Sequence, residues 1–270
     1  MYKALFLSLT LLCQPIFGEI TQMKNMKQVE ALCNQADRDT LVIFDIDMTL
    51  TIPTNPALQM PNVKMYKSRF KKYKALWSKD QKTIITNFIG LNNSPKLLDP
   101  HTKLLIKSLQ RRNIPTIALT ATLAGPILDI QDVISYRDDL LKKLDIDFSV
   151  TSPSQDYFIF DDLLPYLGGY PQTKKGIILA NGEKNMKGVV LTRFLEAIDW
   201  TPQKVIFIDD DLSQVESMEN SMGKLGVQFE GVHFRAIDDF VADKISPEDF
   251  DVEWENLHLL SIEVMREKNL

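Results

Sequence analysis

The chain of 270 residues is long enough for one large domain, or for a domain that carries an insertion. Its composition, 44% hydrophobic and 25% charged, is typical of an ordinary globular protein and argues against a disordered one. The net charge of -5 argues against a general binder of nucleic acid or of anionic membranes, because phosphate-rich surfaces attract basic proteins. We therefore expect a globular protein without a nucleic-acid partner.

Residues 1–18 have the pattern of a secretory signal peptide. Lys3 precedes an apolar run from Ala4 to Leu12, and the small residue Gly18 ends the segment. The run is shorter than the roughly 20 residues that a membrane-spanning helix needs. We predict cleavage after Gly18, a periplasmic or secreted mature chain, and no membrane span after removal of the signal. The alternative interpretation is a buried N-terminal helix or strand.

The next part of the chain predicts a helix, a strand and an insertion. Apolar residues at steps of three and four predict an amphipathic helix within 19–40. The large apolar residues from Leu41 to Phe44 predict a strand buried on both faces, as in the middle of a parallel sheet. Residues 62–90 are rich in Lys and in aromatic residues at helical spacing. We interpret about 53–95 as a helical cap insertion, either a lid that excludes water or a plain packing element.

Strands and helices alternate after the insertion. Helices are predicted at 97–112, 126–144, 188–197 and 213–224, and strands at 114–120, 157–160, 176–180, 204–208 and 227–234. The strands at 157–160 and 176–180 are expected to form a hairpin. Strand, helix and strand in this order predict an α/β fold, with a central parallel sheet flanked by helices and joined by right-handed crossovers. The tail, 235–270, predicts mixed helix and loop without chemistry.

Two pairs of acidic residues end the two most apolar strands. Asp45 and Asp47 follow Leu41–Phe44, and Asp209 and Asp210 end the strand at 204–208. Ligands bind beyond the carboxyl ends of parallel strands, so the four carboxylates share one crevice if these strands are neighbours. Like charges this close repel and require a cation. Oxygen ligands, without a cluster of His or Cys, favour Mg2+.

The segment Asp45-Ile46-Asp47-Met48-Thr49 resembles the D-x-D-x-T signature of the haloacid dehalogenase-like (HAD) hydrolases. Three further signatures of that family follow in its order: Thr120 at a strand end, Lys187 at the start of a helix, and the acidic pair Asp209-Asp210. The resemblance covers about 41–215, and the exported N-terminus and the insertion resemble a bacterial branch of that superfamily. It implies a Rossmann-like core with a small helical cap after the first strand.

The resemblance also implies a role for each residue. Asp45 would be the nucleophile that forms an aspartyl-phosphate, and Asp47 would protonate the leaving oxygen and then activate water. Thr120 would donate a hydrogen bond to the phosphoryl oxygens, and Lys187 would neutralise the carboxylates and the developing charge. The implied ligands of Mg2+ are Asp45, the main-chain carbonyl of Asp47, Asp209 and Asp210.

Alternatives remain at three positions. Thr122 can do the work of Thr120, and Lys184 lies near the same turn as Lys187. Family members often carry Asn or Asp four residues after the second acid of the pair, where this chain has Gln214. A glutamine side chain can hydrogen-bond a metal-bound water, so direct ligation of a metal at this position is left open.

We therefore expect residues 19–270 to form a HAD-like hydrolase domain that acts as a Mg2+-dependent phosphatase on small phosphomonoesters. The second acid, Asp47, favours phosphatase over dehalogenase chemistry. Two alternatives are phosphotransfer to an alcohol, and an exported binding or effector protein with little catalysis. The Lys and Arg residues between Lys64 and Lys82 would attract a phosphorylated substrate or form a solvated helix face. The sequence identifies neither the substrate nor the oligomeric state.

Overall fold

A computed structural model of the chain describes residues 18–91, 94–182 and 184–270. The predicted signal peptide lies outside these residues, except for Gly18, so its cleavage stays a prediction. Within the described ranges, no helix has both the length and the apolar character that crossing a membrane requires.

Strands and helices alternate through the described chain. The strands are β1 (Glu19–Met23), β2 (Thr40–Phe44), β3 (Thr51–Pro53), β4 (Pro95–Leu97), β5 (Thr116–Thr120), β6 (Phe158–Ile159), β7 (Gln172–Lys174), β8 (Ile177–Leu179), β9 (Lys204–Asp209) and β10 (Gln228–Phe234). The helices are α1 (Met26–Cys33), α2 (Met60–Met65), α3 (Lys67–Leu76), α4 (Lys79–Gly90), α5 (Thr102–Arg111), α6 (Val133–Lys143), α7 (Lys187–Ala197), α8 (Leu212–Leu225) and α9 (Pro247–Glu267).

A central sheet of eight strands organises the fold, in the order β1-β10-β9-β2-β5-β8-β7-β6. The strands from β1 to β8 in this order are parallel, and β7 and β6 continue the sheet in antiparallel pairing. Helices cover both faces, and a large apolar cluster fills the space on each side. The fold class predicted from the sequence, an α/β fold with a central parallel sheet flanked by helices, is confirmed.

The helix predicted within 19–40 is wrong over its first residues. Glu19–Met23 forms the edge strand β1, paired in parallel with β10, and the helix extends only over Met26–Cys33. Asn25 begins that helix, since its side chain accepts a hydrogen bond from the backbone N of Gln28 at 3.0 Å. The apolar residue Ile20 fits either pattern, and pairing with a distant strand decides the outcome.

The predicted hairpin of 157–160 with 176–180 is also wrong. The strand β8 instead forms a hairpin with β7, and β6 pairs with the other edge of β7. Lys175 and Gly176 make the tight turn of this hairpin, with φ of 51° and 79°. The strand β7 has only three residues, Gln-Thr-Lys, so no apolar alternation marks it in the sequence.

The insertion after β2 is bounded by a small antiparallel ribbon of β3 and β4. The helices α2, α3 and α4 lie between these two strands. An aromatic cluster packs the insertion against the C-terminal helix α9. The rings of Phe70 and Trp254 lie 4.7 Å apart, and those of Tyr66 and Phe250 lie 4.9 Å apart. The tail, for which the sequence predicted no chemistry, therefore holds the insertion in place.

Removal of the Trp254 side chain tests this packing. Trp254 is buried, and its Nε1 donates a hydrogen bond to the carbonyl oxygen of Ala57 at 3.2 Å. We expect Trp254→Ala to lower the free energy of unfolding by about 3–5 kcal/mol, the usual range for such a cavity. Val252→Ala, at a residue of the same helix that is 60% exposed, is the control. Equal stability of the two variants in urea unfolding would contradict the packing described.

Candidate functional site

The two acidic strand ends lie side by side. The strands β2 and β9 are neighbours in the sheet, with Phe44 opposite Ile208. The backbone N of Asp45 donates a hydrogen bond to the carbonyl oxygen of Ile208 at 2.9 Å, which continues the pairing past the end of β2. Asp45 and Asp209 are both buried. From the sequence, the carboxylates were expected to share one crevice if these two strands are neighbours, and the strands are neighbours.

A single buried cation joins these two carboxylates. The Nζ of Lys187, which is 2% exposed, donates hydrogen bonds to Oδ1 of Asp45 and to Oδ2 of Asp209, the latter at 2.7 Å. Lys187 is the first residue of α7, and its backbone N donates to Oε1 of Gln214 at 3.1 Å. Gln214 thus accepts a hydrogen bond from a backbone amide that has no partner within the helix. This bond holds the start of α7, from which the Lys187 side chain extends towards the carboxylates.

The alternative lysine lies elsewhere. Lys184 is exposed, and its Nζ lies 4.5 Å from the ring centroid of Tyr166. Close packing of α7 on α8 fixes Lys187 instead, since a Cβ at Gly188 would come within 2.5 Å of the carbonyl oxygen of Ser217. The structure therefore brings Lys187, and not Lys184, between the carboxylates.

Three carboxylates are placed to share a metal ion. One oxygen each of Asp45, Asp209 and Asp210 lies within 4.8 Å of the others. The buried hydroxyl of Thr49 accepts a hydrogen bond from the backbone N of Asp210 at 3.1 Å, which ties the two acidic loops together. These donors are oxygens only, so the cluster fits a hard cation such as Mg2+. The carboxylate of Asp47 is not in this group, and its main-chain carbonyl stays a predicted ligand.

The electrostatics of the cluster also favour an added cation. Burial, and then the charge of Asp209, raise the pKa of Asp210 to about 7. Burial also raises the pKa of Asp45 well above its ordinary value, although Lys187 opposes this effect. For Lys187, burial lowers the pKa, but the charges of Asp209 and Asp45 outweigh it and the net shift is upward. One lysine thus lies among three acids, and their burial and mutual repulsion favour protonation unless a further cation is present.

Asp47 is bound by a residue that the sequence analysis did not identify. Arg137, on α6, is 1% exposed, and its guanidinium donates to Oδ2 of Asp47. The hydroxyl of Thr120 donates to the same oxygen at 3.3 Å. The hydroxyl of Thr122 lies 3.0 Å from that of Thr120 and accepts from Arg137 at 3.3 Å. Both threonines weighed from the sequence therefore lie at the site, in one hydrogen-bond network.

The same arginine links Asp47 to the insertion. Its Nη1 donates to the main-chain carbonyl of Gly90, the last residue of α4. A Cβ at Gly90 would lie 2.7 Å from Oδ1 of Asp47, so only glycine allows the helix end to approach this closely. Three residues earlier in α4, Oδ1 of the buried Asn87 accepts a hydrogen bond from the backbone N of Leu123 at 2.6 Å. The insertion is thereby fixed over the end of the sheet.

A cavity of about 410 Å³ lies between the insertion and the sheet. Its floor contains the carboxylates, the two threonines and Lys187, and Gln214 forms part of its wall. The helix α4 supplies the opposite side with Lys79, Lys82, Thr83, Thr86 and Asn87. All the residues that the sequence singled out as a site therefore open into one space, which is covered by the insertion.

The sequence carries a weak signal for Arg137 and Asn87, the two site residues that it did not single out. Arg137 shares a helix face with the buried residues Ile134 and Leu141, three positions before and four after it. A charged residue in an apolar stripe is rarely buried without a partner, so it indicates a buried ion pair. Asn87 is likewise a buried polar residue on an apolar helix face, three positions after the buried Ile84 on α4. The sequence does not show which acid or amide each one meets.

Comparison with known proteins gives one family and several relatives. The family model described as "Protein of unknown function (DUF2608)" matches residues 22–266. An uncharacterised protein of Rickettsia bellii is 25% identical over 228 residues, which cover 80% of this chain and 77% of that protein. Another, of Rickettsia felis, is 24% identical over 243 residues, which cover 86% of this chain and 82% of that protein.

Two solved structures are similar to the chain. One is a haloacid dehalogenase-like family hydrolase from Streptococcus pneumoniae, with a TM-score of 0.40 and 16% identity, covering 74% of this chain and 96% of the other. The second is the HAD domain of the effector protein Lem4 from Legionella pneumophila, an inactive mutant, with a TM-score of 0.34 and 11% identity. That match covers 84% of this chain and 97% of the other.

The raised pKa of Asp210 predicts how pH changes stability without metal. The pKa moves from its ordinary 3.8 to about 7 on folding, so the folded state binds the proton more tightly. The resulting stabilisation is present below the ordinary pKa and is lost as the pH rises to about 7. In EDTA, the melting temperature of Asp210→Asn should therefore fall less than that of wild type over this range. If the melting temperature of Asp210→Asn fell with pH as steeply as that of wild type, the raised pKa of Asp210 would be contradicted. Asp161→Asn, at an exposed acid, is the control.

Proposed function

For this chain, which belongs to the family described as "Protein of unknown function (DUF2608)", we propose a Mg2+-dependent phosphatase of the HAD type that hydrolyses small phosphomonoesters through an aspartyl-phosphate. The observation that carries the proposal is the bond of Lys187 to both Asp45 and Asp209, with Asp47 in the same covered cavity. The motif order along the chain, which resembles that of the HAD hydrolases, supports the same function.

Asp45 is the nucleophile of the proposed reaction. Its carboxylate ends a rigid central strand, and the hydrogen bond from Lys187 orients it. Asp45, Asp209, Asp210 and the main-chain carbonyl of Asp47 would hold Mg2+. When bound, this ion supplies positive charge that lets a phosphoryl group approach the carboxylates. Lys187 stabilises the charge on the nucleophile before and after transfer.

Asp47 is the general acid and base. The side chain is 35% exposed and lines the cavity, so a leaving oxygen can reach it. Arg137 and Thr120 both donate hydrogen bonds to Oδ2, which restricts the rotation of the carboxyl group beside the cavity. In the second step, the same group accepts a proton from the attacking water. Thr122, within the same network, can donate to the phosphoryl oxygens.

We also propose that the enzyme is exported and that its substrate is a small phosphorylated molecule. The signal-peptide pattern of residues 1–18 supports a periplasmic or secreted enzyme. The cationic side chains of Lys79 and Lys82 at the mouth of the cavity support a small phosphorylated substrate, since they offset the acidic floor.

The direct test is phosphate release from a panel of phosphomonoesters. Wild type, without its first 18 residues, should release phosphate with Mg2+ and lose this activity in EDTA. Asp45→Asn should be inactive, because an amide is not a nucleophile for phosphorus. Asp161→Asn, at an exposed acid, is the control and should keep full activity. Wild-type turnover that is unaffected by EDTA would contradict the proposal, and so would turnover by Asp45→Asn.

A second prediction concerns Arg137 as a positioning residue. Arg137→Met should lower kcat by about 100-fold with a smaller change in KM, because a misplaced acid costs rate rather than binding. Lys143→Met, at an exposed residue of the same helix, should leave kcat near that of wild type. In an Asp47→Asn background, Arg137→Met should add little further loss, since the arginine acts through Asp47. If the double variant lost kcat by the product of the two single losses, this role of Arg137 would be contradicted.

A further inference from the structure

A second cavity, of about 250 Å³, adjoins the acidic one. The two cavities share three lining residues, Asp47, Met48 and Thr86, so they meet at the proposed general acid. The second cavity lies beneath the insertion and extends from Asp47 to Trp254 of α9. We call it the apolar chamber, because most of its remaining walls are apolar side chains: Ile52, Leu58, Met60, Val63, Phe70 and Ile89.

The reaction geometry determines which part of a substrate faces the chamber. Asp45 attacks phosphorus, so the phosphoryl group lies over Asp45 and the metal cluster. The ester oxygen leaves towards the group that protonates it, which is Asp47. The carbon attached to that oxygen is then next to Asp47, which also lines the apolar chamber. The chamber therefore receives the organic part of the substrate, and not the phosphate.

Size and polarity restrict what can enter. A dry cavity of about 150 Å³ lined by Leu, Ile and Phe holds a benzene ring, so the larger chamber has room for a phenyl ring with a linker or for a short alkyl chain. Sugar hydroxyls would lose their hydrogen bonds with water against walls such as Val63, Phe70 and Ile89. Apolar carbon gains free energy from the same transfer.

We infer that the substrate is a phosphomonoester of an apolar alcohol or phenol, whose aromatic or short alkyl group binds in the apolar chamber. This inference rests on the proposed function. In the reaction, an oxygen of Asp45 bonds to phosphorus as the ester P–O bond breaks, and the leaving oxygen takes the proton of Asp47. Water then gives a proton to Asp47 and attacks phosphorus. Inorganic phosphate is released and the Asp45 carboxylate is restored.

Binding of phosphonates tests the inference without requiring turnover. These probes keep the charged head group but cannot be hydrolysed, because carbon replaces the ester oxygen. Calorimetry with Mg2+ should show benzylphosphonate and hexylphosphonate binding at least about tenfold more tightly than methylphosphonate, the usual gain in an apolar pocket. Equal affinities, or no binding of any of the three, would overturn the inference.

Variants that fill the chamber locate the binding. Val63→Phe on α2 and Ile89→Phe on α4 narrow it from two walls. Both should lose the tighter binding of benzylphosphonate and hexylphosphonate but keep that of methylphosphonate, which also shows that the variants are folded. Met65→Phe, at a residue of α2 that is 70% exposed, is the control and should behave as wild type. Preference for the larger probes that persists in both filled variants would overturn the inference.

The two proposals fail in different ways. Selective phosphonate binding without release of phosphate from any ester would refute the proposed catalysis and leave the chamber as a binding site for apolar groups. Phosphate release with the same kcat/KM for methyl, hexyl and benzyl phosphates, together with equal phosphonate affinities, would uphold the phosphatase and refute the apolar substrate.

Discussion

One buried lysine between two buried carboxylates is the interaction on which the site depends. Asp45 and Asp209 come together because their strands are neighbours in the sheet, and Lys187 reaches both because α7 begins beside them. With Asp210, three carboxylates lie close together, and the ammonium group of Lys187 bonds two of them. Removing like charges from water is costly, so this arrangement favours either a bound proton or a further cation. A divalent cation meets that requirement.

The insertion is held by polar bonds at the site and by aromatic packing away from it. Arg137 bonds both Asp47 and the end of α4, so the position of the proposed general acid is linked to that of the insertion. The rings of Phe70 and Trp254 fix the far side of the insertion to α9. The space enclosed between these two attachments includes the apolar chamber. On the proposed function, the insertion therefore forms part of the substrate site in addition to excluding water.

The sequence predicts the parts of this structure that depend on local pattern. Long apolar runs such as Leu41–Phe44 identify the central strands, and acids at their ends identify the sheet edge where they meet. The edge strand β1 and the short strand β7 could not be predicted, because pairing with distant residues stabilises them. The partners of Arg137 were hidden for the same reason, since Asp47 and Gly90 lie 90 and 47 positions away.

The most direct test of the account is to trap the phosphorylated nucleophile. In Asp47→Asn, an activated ester such as p-nitrophenyl phosphate needs no acid to leave, but the water of the second step lacks its base. The phosphoryl group should then accumulate on the chain, and peptide mass spectrometry after acid quench should find it on Asp45. Release of p-nitrophenol by this variant with no phosphoryl group on Asp45, at any quench time, would contradict the central claim.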